Sequence, residues 1–181
     1  MLVLPDDDGS YDILCRFWCP EAGITERSRR DGVPYGDWAR DGYLVPTPGN
    51  VTDYAFIRAE VLALAQQYQI VEIGFDRWNA TQLVTELGQD GATCVAVAQT
   101  SAGLGPAWRE LTKLILEGRL RHGGHPVLRW MAANVEVETD AAGNERPSKE
   151  HSGERIDGMV ALDMALGRAM AAPEPIIWTA V

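Results

Sequence analysis

Aromatic and branched residues crowd Tyr11 to Pro20 (YDILCRFWCP), a density that predicts a strand stopped by its proline. PDDDGS before it reads as a turn, and Met1 to Leu4 as the other arm of a hairpin. TERSRRDG predicts a short helix ending at Gly32, whereas VPYGDWARDGYLVPTPGN reads as turns around one extended piece, Tyr43 to Val45. Tyr54, Ile57, Val61, Leu64 and Tyr68 recur at spacings of three and four, the mark of one apolar helix face, with Thr52 or Asn50 as its cap. IVEIGF predicts a largely buried strand that ends at Asp76. A helix from about Asn79 to Leu87 then leads to a strand over Ala92 to Ala98.

Pro106 suits the first turn of the next helix, whose apolar face is Trp108, Leu111, Leu114 and Ile115 and which closes at Gly118. His125 to Ala133 predicts a further helix, and VEVETDAAGNERP a hairpin turning near Ala142 to Asn144. IDGMVALDMALGRAM predicts the last helix. Repeated strand–helix–strand order implies an α/β domain over residues 1–181, its largely parallel or mixed sheet covered by helices on both sides.

Composition narrows the class. With 46% hydrophobic and 23% charged residues the chain is globular rather than disordered. Its apolar runs fall far short of the ~20 residues that cross a bilayer, and MLVLPDDDGS lacks the basic start of a secretory signal. The expectation is a cytoplasmic protein with no membrane partner. Cys15, Cys19 and Cys94 suggest neither a disulfide framework nor a metal knuckle, but small hydrophobes carried on strands. A formal charge of −10 argues against broad attraction to nucleic acid. It leaves room for an acidic site that binds a cation first and meets phosphate through it. Arg27, Arg29 and Arg30, then Lys113, Arg119, Arg121 and Arg129, are local basic clusters that could meet a backbone or face solvent.

Asp76 directly follows the strand VEIGF, at the edge where α/β sheets commonly form a ligand crevice. The alternative is a helix cap, for which Asn79 also competes. Asp157 opens an apolar helix, and Gly158 beside it would let another group approach closely. A carboxylate on such a face needs a partner, a metal or a raised pKa, unless it serves only the positive helix end. Glu154 carries the same two readings, and Asp163 reads as a surface residue or a neighbour of Arg168. Carboxylates from a strand end and a helix are the ingredients of a hard-metal site for Mg2+ or Mn2+. His122, His125 and His151 read as solvent-facing or ordinary hydrogen-bonding groups. Trp78, Trp108 and Trp130 read as core or interface aromatics rather than base-stacking platforms. SAGLGP lacks the ending of a phosphate-binding loop, and no G-x-S-x-G elbow is present.

FWCPE (Phe17 to Glu21), VPYGDW (Val33 to Trp38), GYLVPTPGN (Gly42 to Asn50), FDRWNA (Phe75 to Ala80), HGGHPVLRWMAANV (His122 to Val135) and ERIDGMVALDMALGR (Glu154 to Arg168) follow one another in a telling order. In these pieces the chain resembles the C-terminal nuclease domain of a tailed-phage terminase large subunit. The resemblance implies a ribonuclease-H-like fold, with a mixed central sheet flanked by helices. It also implies an endonuclease that cuts concatemeric viral DNA during genome packaging, using Mg2+ or Mn2+, two ions in a complete family site. Asp76 matches the family's strand-end metal ligand and Asp157 the ligand on its C-terminal helix. Lys149 matches a basic position that contacts DNA, and Glu154 is a supporting or DNA-contact candidate. The implied partners are double-stranded DNA, a terminase ATPase domain, the small terminase and the portal.

The chain departs from the family's pattern at its front. The family's first strand, with the first metal-binding Asp, falls before the segment that begins here, and Asp6, Asp7 and Asp8 lie in a turn too far along to replace it. The expectation is therefore a sheet with its first strand largely missing, weak Mn2+ binding and slow or absent cleavage. The competing expectation is a non-catalytic terminase fragment that acts only in protein or DNA binding.

Overall fold

A computed structural model describes residues 1–78 and 81–171 of the chain. Strands β1 (Leu2–Pro5) and β2 (Tyr11–Leu14) form the expected hairpin, pairing antiparallel from Leu2↔Leu14 to Pro5↔Tyr11. Its turn is held by Asp6 and Gly9, the latter at φ 76°, a conformation glycine adopts without steric cost. The single strand expected over Tyr11 to Pro20 is in fact two. The chain leaves the sheet after Leu14, and β3 (Trp18–Pro20) pairs parallel with β4 (Val45–Thr47) in a separate sheet. Uniform apolar density hides such a break, because both pieces are apolar for different neighbours.

Helix α1 (Ile24–Asp31) closes at Gly32 as expected, with φ 64° and its N–H donated to Ser28 O. The segment read as turns contains a further helix, α2 (Tyr35–Arg40), whose Tyr35 and Trp38 are buried. Six residues are too few to show helical period; the helix follows from burying two aromatics on one side. Tyr35, Trp38 and Trp130 pack mutually with ring centroids 5.6 to 6.1 Å apart. Helix α3 (Tyr54–Ala65) is capped by Asp53, which accepts from Phe56 N, rather than by Thr52 or Asn50.

Strand β5 (Ile73–Phe75) pairs parallel with β6 (Cys94–Ala96), and α4 (Thr81–Gln89) connects them. The cap candidate Asn79 lies outside the described residues. Strand β5 is half-buried rather than fully buried, since among the described residues β6 alone pairs with it. Helix α5 (Ser101–Leu116) starts five residues before Pro106, so the proline sits inside it; Thr100 caps it by accepting from Gly103 N. A two-residue strand, β7 (Leu120–Arg121), pairs parallel with β2. Helix α6 (Pro126–Ala133), the hairpin β8 (Glu136–Thr139) and β9 (Glu145–Ser148), and α7 (Asp157–Ala171) complete the chain.

Helix α7 organises the rest. It packs against α5, α6, β1 and β5, and Met159, Leu162 and Leu166 enter a core with Ile13, Cys15, Leu111, Leu114, Val127 and Leu128. Burying each such leucine stabilises the fold by about 1.5–3 kcal/mol. The sheets β1-β2-β7 and β5-β6 both lie against this helix but share no backbone pairing among the described residues, where β1 and β5 each keep a free edge. A helix is ~10 Å across and paired strands lie ~4.8 Å apart. One helix can therefore touch two strands that do not themselves meet.

Candidate metal and phosphate site

The register between β5 and α7 directs the strand toward the end of α7 at which Asp157 stands. Glu72, just before β5, pairs with Arg168 near the end of α7 at 2.6 Å. A Cβ built on Gly74 would stand 3.1 Å from Arg168 Cγ and 3.6 Å from Met164 O. Two strand residues cover ~7 Å and four helical residues ~6 Å, so the strand climbs as the helix descends. Two residues further, Asp76 lies about one helical turn nearer the start of α7, the end that Asp157 opens. Asp157 also shares a face with Ala161, Met164 and Arg168, the face that meets β5.

Asp76 is half-buried and accepts a hydrogen bond from Trp78 N at 3.2 Å. Asp157 is paired with Lys149, Nζ to Oδ1 at 3.0 Å, and both side chains are more than half exposed. In water such a pair contributes about 0–1 kcal/mol, which leaves the carboxylate open to exchange for a stronger cation. Gly158 is needed here, because a Cβ would lie 2.7 Å from the Phe17 ring and 2.8 Å from Met131 Sδ. That close approach seats the first turn of α7 on α6.

Lys149 follows β9 directly, and the hairpin holds it in place. Arg146 donates to Gln99 O at 2.8 Å and pairs with Glu138 at 2.5 Å, while Gly105 lets the carbonyl of Glu145 come against α5. An open cleft of ≈ 460 Å³ adjoins Asp157, lined by Arg30, Asp31, Lys149, Glu154, Arg155 and Ile156 among others. Asp31 accepts from Arg30 and from Tyr35 OH at 3.0 Å, and these bonds, Arg30's first, hold its carboxyl below the usual range. Sequence reasoning saw Arg30 only as part of a basic cluster and overlooked Asp31 and Arg155. Of the three cations in this cleft, Arg30 comes from α1 and Lys149 and Arg155 from the β9–α7 connection, so no local pattern announces the group.

Asp6, Asp7 and Asp8 do not join this site. Phe17, just past β2, lies against the start of α7, so the β1–β2 turn is at the far end of a hairpin ~13 Å long. There Arg121 binds Asp6 at 2.6 Å, Asp12 at 2.8 Å and Asp8 at 3.5 Å. Asp163 is neither at the surface nor beside Arg168, whose partner is Glu72. It is fully buried, both its oxygens lack a hydrogen bond among the described residues, and burial pushes its pKa up to about 7.

Two of the three histidines also differ from expectation. His125 packs against Phe17 and Tyr43 at 5.3 and 5.1 Å, and the buried Nδ1 atoms of His122 and His125 have no partner among the described residues. Burial first, then His122 and Arg16, lowers the pKa of His125. His151 Nδ1 lies 3.1 Å from Ser148 Oγ, an ordinary hydrogen-bonding role. The cysteines are free, as expected, with Cys19 and Cys94 on strands and Cys15 one residue past β2. Trp108 is buried, but Trp78 is 87% exposed and belongs to no core.

Asp76 and Asp157 offer oxygen donors alone, a set that suits a hard cation retaining several waters. Among the described residues no three His, Cys, Asp or Glu side chains converge. No helix among them is long and apolar enough to cross a membrane.

Residues 1–173 match the family model for the terminase large subunit, endonuclease domain. The chain is 39% identical over 165 residues to the terminase large subunit of Enterobacteria phage HK97, a match covering 90% of this chain and 33% of that protein. The crystal structure of the HK97 large terminase superposes with a TM-score of 0.85 at 38% identity, over 92% of this chain and 35% of that one. The large terminase nuclease of thermophilic phage G20c, solved with bound magnesium, shares the fold at TM-score 0.51 and 17% identity, over 66% of this chain and 64% of that one. The chain spans about a third of the length of the curated relatives it matches. Its mixed α/β fold is therefore that of the ribonuclease-H-like terminase nucleases.

Proposed function

This chain belongs to the family of terminase large subunit endonuclease domains, and from that premise we propose that Asp76 and Asp157 together hold one Mg2+ or Mn2+ for cleavage of double-stranded DNA. The observation that carries the reading is the β5–α7 register, which supports convergence of the two carboxylates. The magnesium bound by the G20c nuclease points to the same cation class. When bound, the cation supplies a more acidic water and offsets charge on the phosphate. The chain's own residues do the rest. Lys149 neutralises Asp157 until substrate arrives, then turns to a phosphate oxygen; Arg30 and Arg155 hold the backbone in the cleft, and Glu154 orders them. The biological act is the cutting of concatemeric viral DNA during packaging, with a terminase ATPase domain, the small terminase and the portal as partners.

Two carboxylates bind more weakly than three, so cleavage is slow. Isothermal titration with Mn2+ and nicking of supercoiled plasmid test this. The chain binds Mn2+ and nicks slowly, and Asp76→Asn and Asp157→Asn each remove both properties. Unchanged Mn2+ binding by either variant would refute the site. A second reading, a non-catalytic DNA- or protein-binding domain, draws on the Lys149–Asp157 pair, which already balances one of the two carboxylates. It predicts DNA binding with no Mn2+ dependence.

A further inference from the structure

Arg77 and Trp78 follow Asp76 directly, and both are exposed. Trp78 is the outlier: 87% of it faces water, while Trp108 is 8% exposed and Trp38 9%. A ring of this size left in water keeps its apolar faces free for a partner. Trp78 N donates to Asp76 Oδ1 at 3.2 Å, so one turn fixes the backbone of Trp78 relative to the carboxylate. Arg77 makes no ion pair among the described residues, unlike Arg58, Arg121 and Arg168, which are all engaged by acids.

The surroundings favour nucleic acid over protein. A protein hot spot is a ring set among apolar neighbours that exclude water. Trp78 instead has Asp76 and Arg77 beside it, and Val71, also exposed, lies at the other end of β5. The chain carries a charge of −10, yet Arg30, Lys149 and Arg155 gather in the cleft beside Asp157. Cationic groups with one free aromatic ring suit a phosphate backbone and the π-face of a base.

We propose that Trp78 is a DNA-positioning residue that stacks on, or wedges beside, a base next to the phosphate held at the Asp76–Asp157 end, while Arg77 takes a neighbouring phosphate. This rests on the nuclease reading for the identity of the substrate, though not on cleavage itself. The ring sets where along the strand the phosphate stops, and stacking, which every base allows, gives it little sequence preference.

The test uses the whole chain in EDTA with a short DNA duplex carrying a fluorescent adenine analogue at one position. Binding of the unmodified chain unstacks the analogue and raises its fluorescence. Trp78→Ala weakens binding roughly five-fold or more and removes that rise, whereas Trp78→Phe keeps most of both. Equal binding and equal fluorescence by Trp78→Ala overturn the proposal, as does failure of the unmodified chain to bind the duplex. A loss of self-association in light scattering, with DNA binding intact, also overturns it and assigns the ring to a protein contact. Plasmid nicking by the chain and its Asp76→Asn variant is read separately. Nicking that depends on Asp76 alongside unaffected Trp78→Ala binding sinks this inference alone; absent nicking alongside weakened Trp78→Ala binding sinks the metal reading alone.

Discussion

A single carboxyl group shows how far the interior can move an acid from its ordinary behaviour. Asp163 is fully buried on α7 without a hydrogen bond among the described residues, and burial raises its pKa from 3.8 to about 7. A carboxyl whose folded pKa is raised stays neutral in the fold while the unfolded chain has already ionised. Between those two values the folded state binds the extra proton, so stability falls as pH rises, by at most about 1.4 kcal/mol per unit. Below pH 3.8 the effect is absent, and above about 7 the full penalty applies. Asp163→Asn removes the ionisation. Urea melts from pH 4 to pH 8 are expected to show a shallower loss of stability in the variant, with its advantage largest at pH 8. An unaltered slope would mean that Asp163 is charged in the fold. Trp78 teaches the complementary lesson at this scale: residue type favours the core, and only its position at a strand end leaves it in water.

Among the elements, α7 carries most of the consequence. Its buried face enters the core, its β5 face sets the level of Asp157, and its first turn rests on Phe17 and Met131 through Gly158. A methyl at Gly158 has no room, since its nearest atoms would lie at 2.7 and 2.8 Å from a ring and a thioether in the packed interior. Gly158→Ala is therefore expected to cost about 1–3 kcal/mol, read as a lower urea midpoint, despite the better helix propensity of alanine. It should also weaken Mn2+ binding, because the helix start must shift to admit the methyl. A variant as stable as the parent would show that the contact relaxes freely. The hairpin β8–β9 is the second such element: its pins on α5 and on Gln99 place Lys149 beside Asp157.

For the whole molecule, the two sheets that share α7 set the pattern of stability. Strand β2 is paired on both sides, by β1 and β7, while among the described residues β1 and β5 each present an unpaired edge. Amide protection follows pairing. Hydrogen exchange is expected to be slow along β2 and fast at the outward amides of β1 and β5. Equal protection of those edges in the isolated chain would require a backbone partner for them. Free edges are also templates for pairing with other chains, so the molecule should self-associate more readily as concentration rises.

Much of this was legible in the residues. The hairpin, the helices at Tyr54–Ala65 and Asp157–Ala171, and the strand before Asp76 follow from local period and punctuation, which depend only on neighbours in sequence. So do the positions of Asp76 and Asp157, one just past a strand and one at a helix start. The break between β2 and β3, the helix at Tyr35–Arg40 and the burial of Asp163 were not legible, because each answers to a partner far along the chain. The same holds for the cleft where Arg30, Lys149 and Arg155 meet. Local chemistry decides which elements form and which acids stand at their ends. Packing around α7 decides which of those groups face one another, which lose their water and which remain exposed.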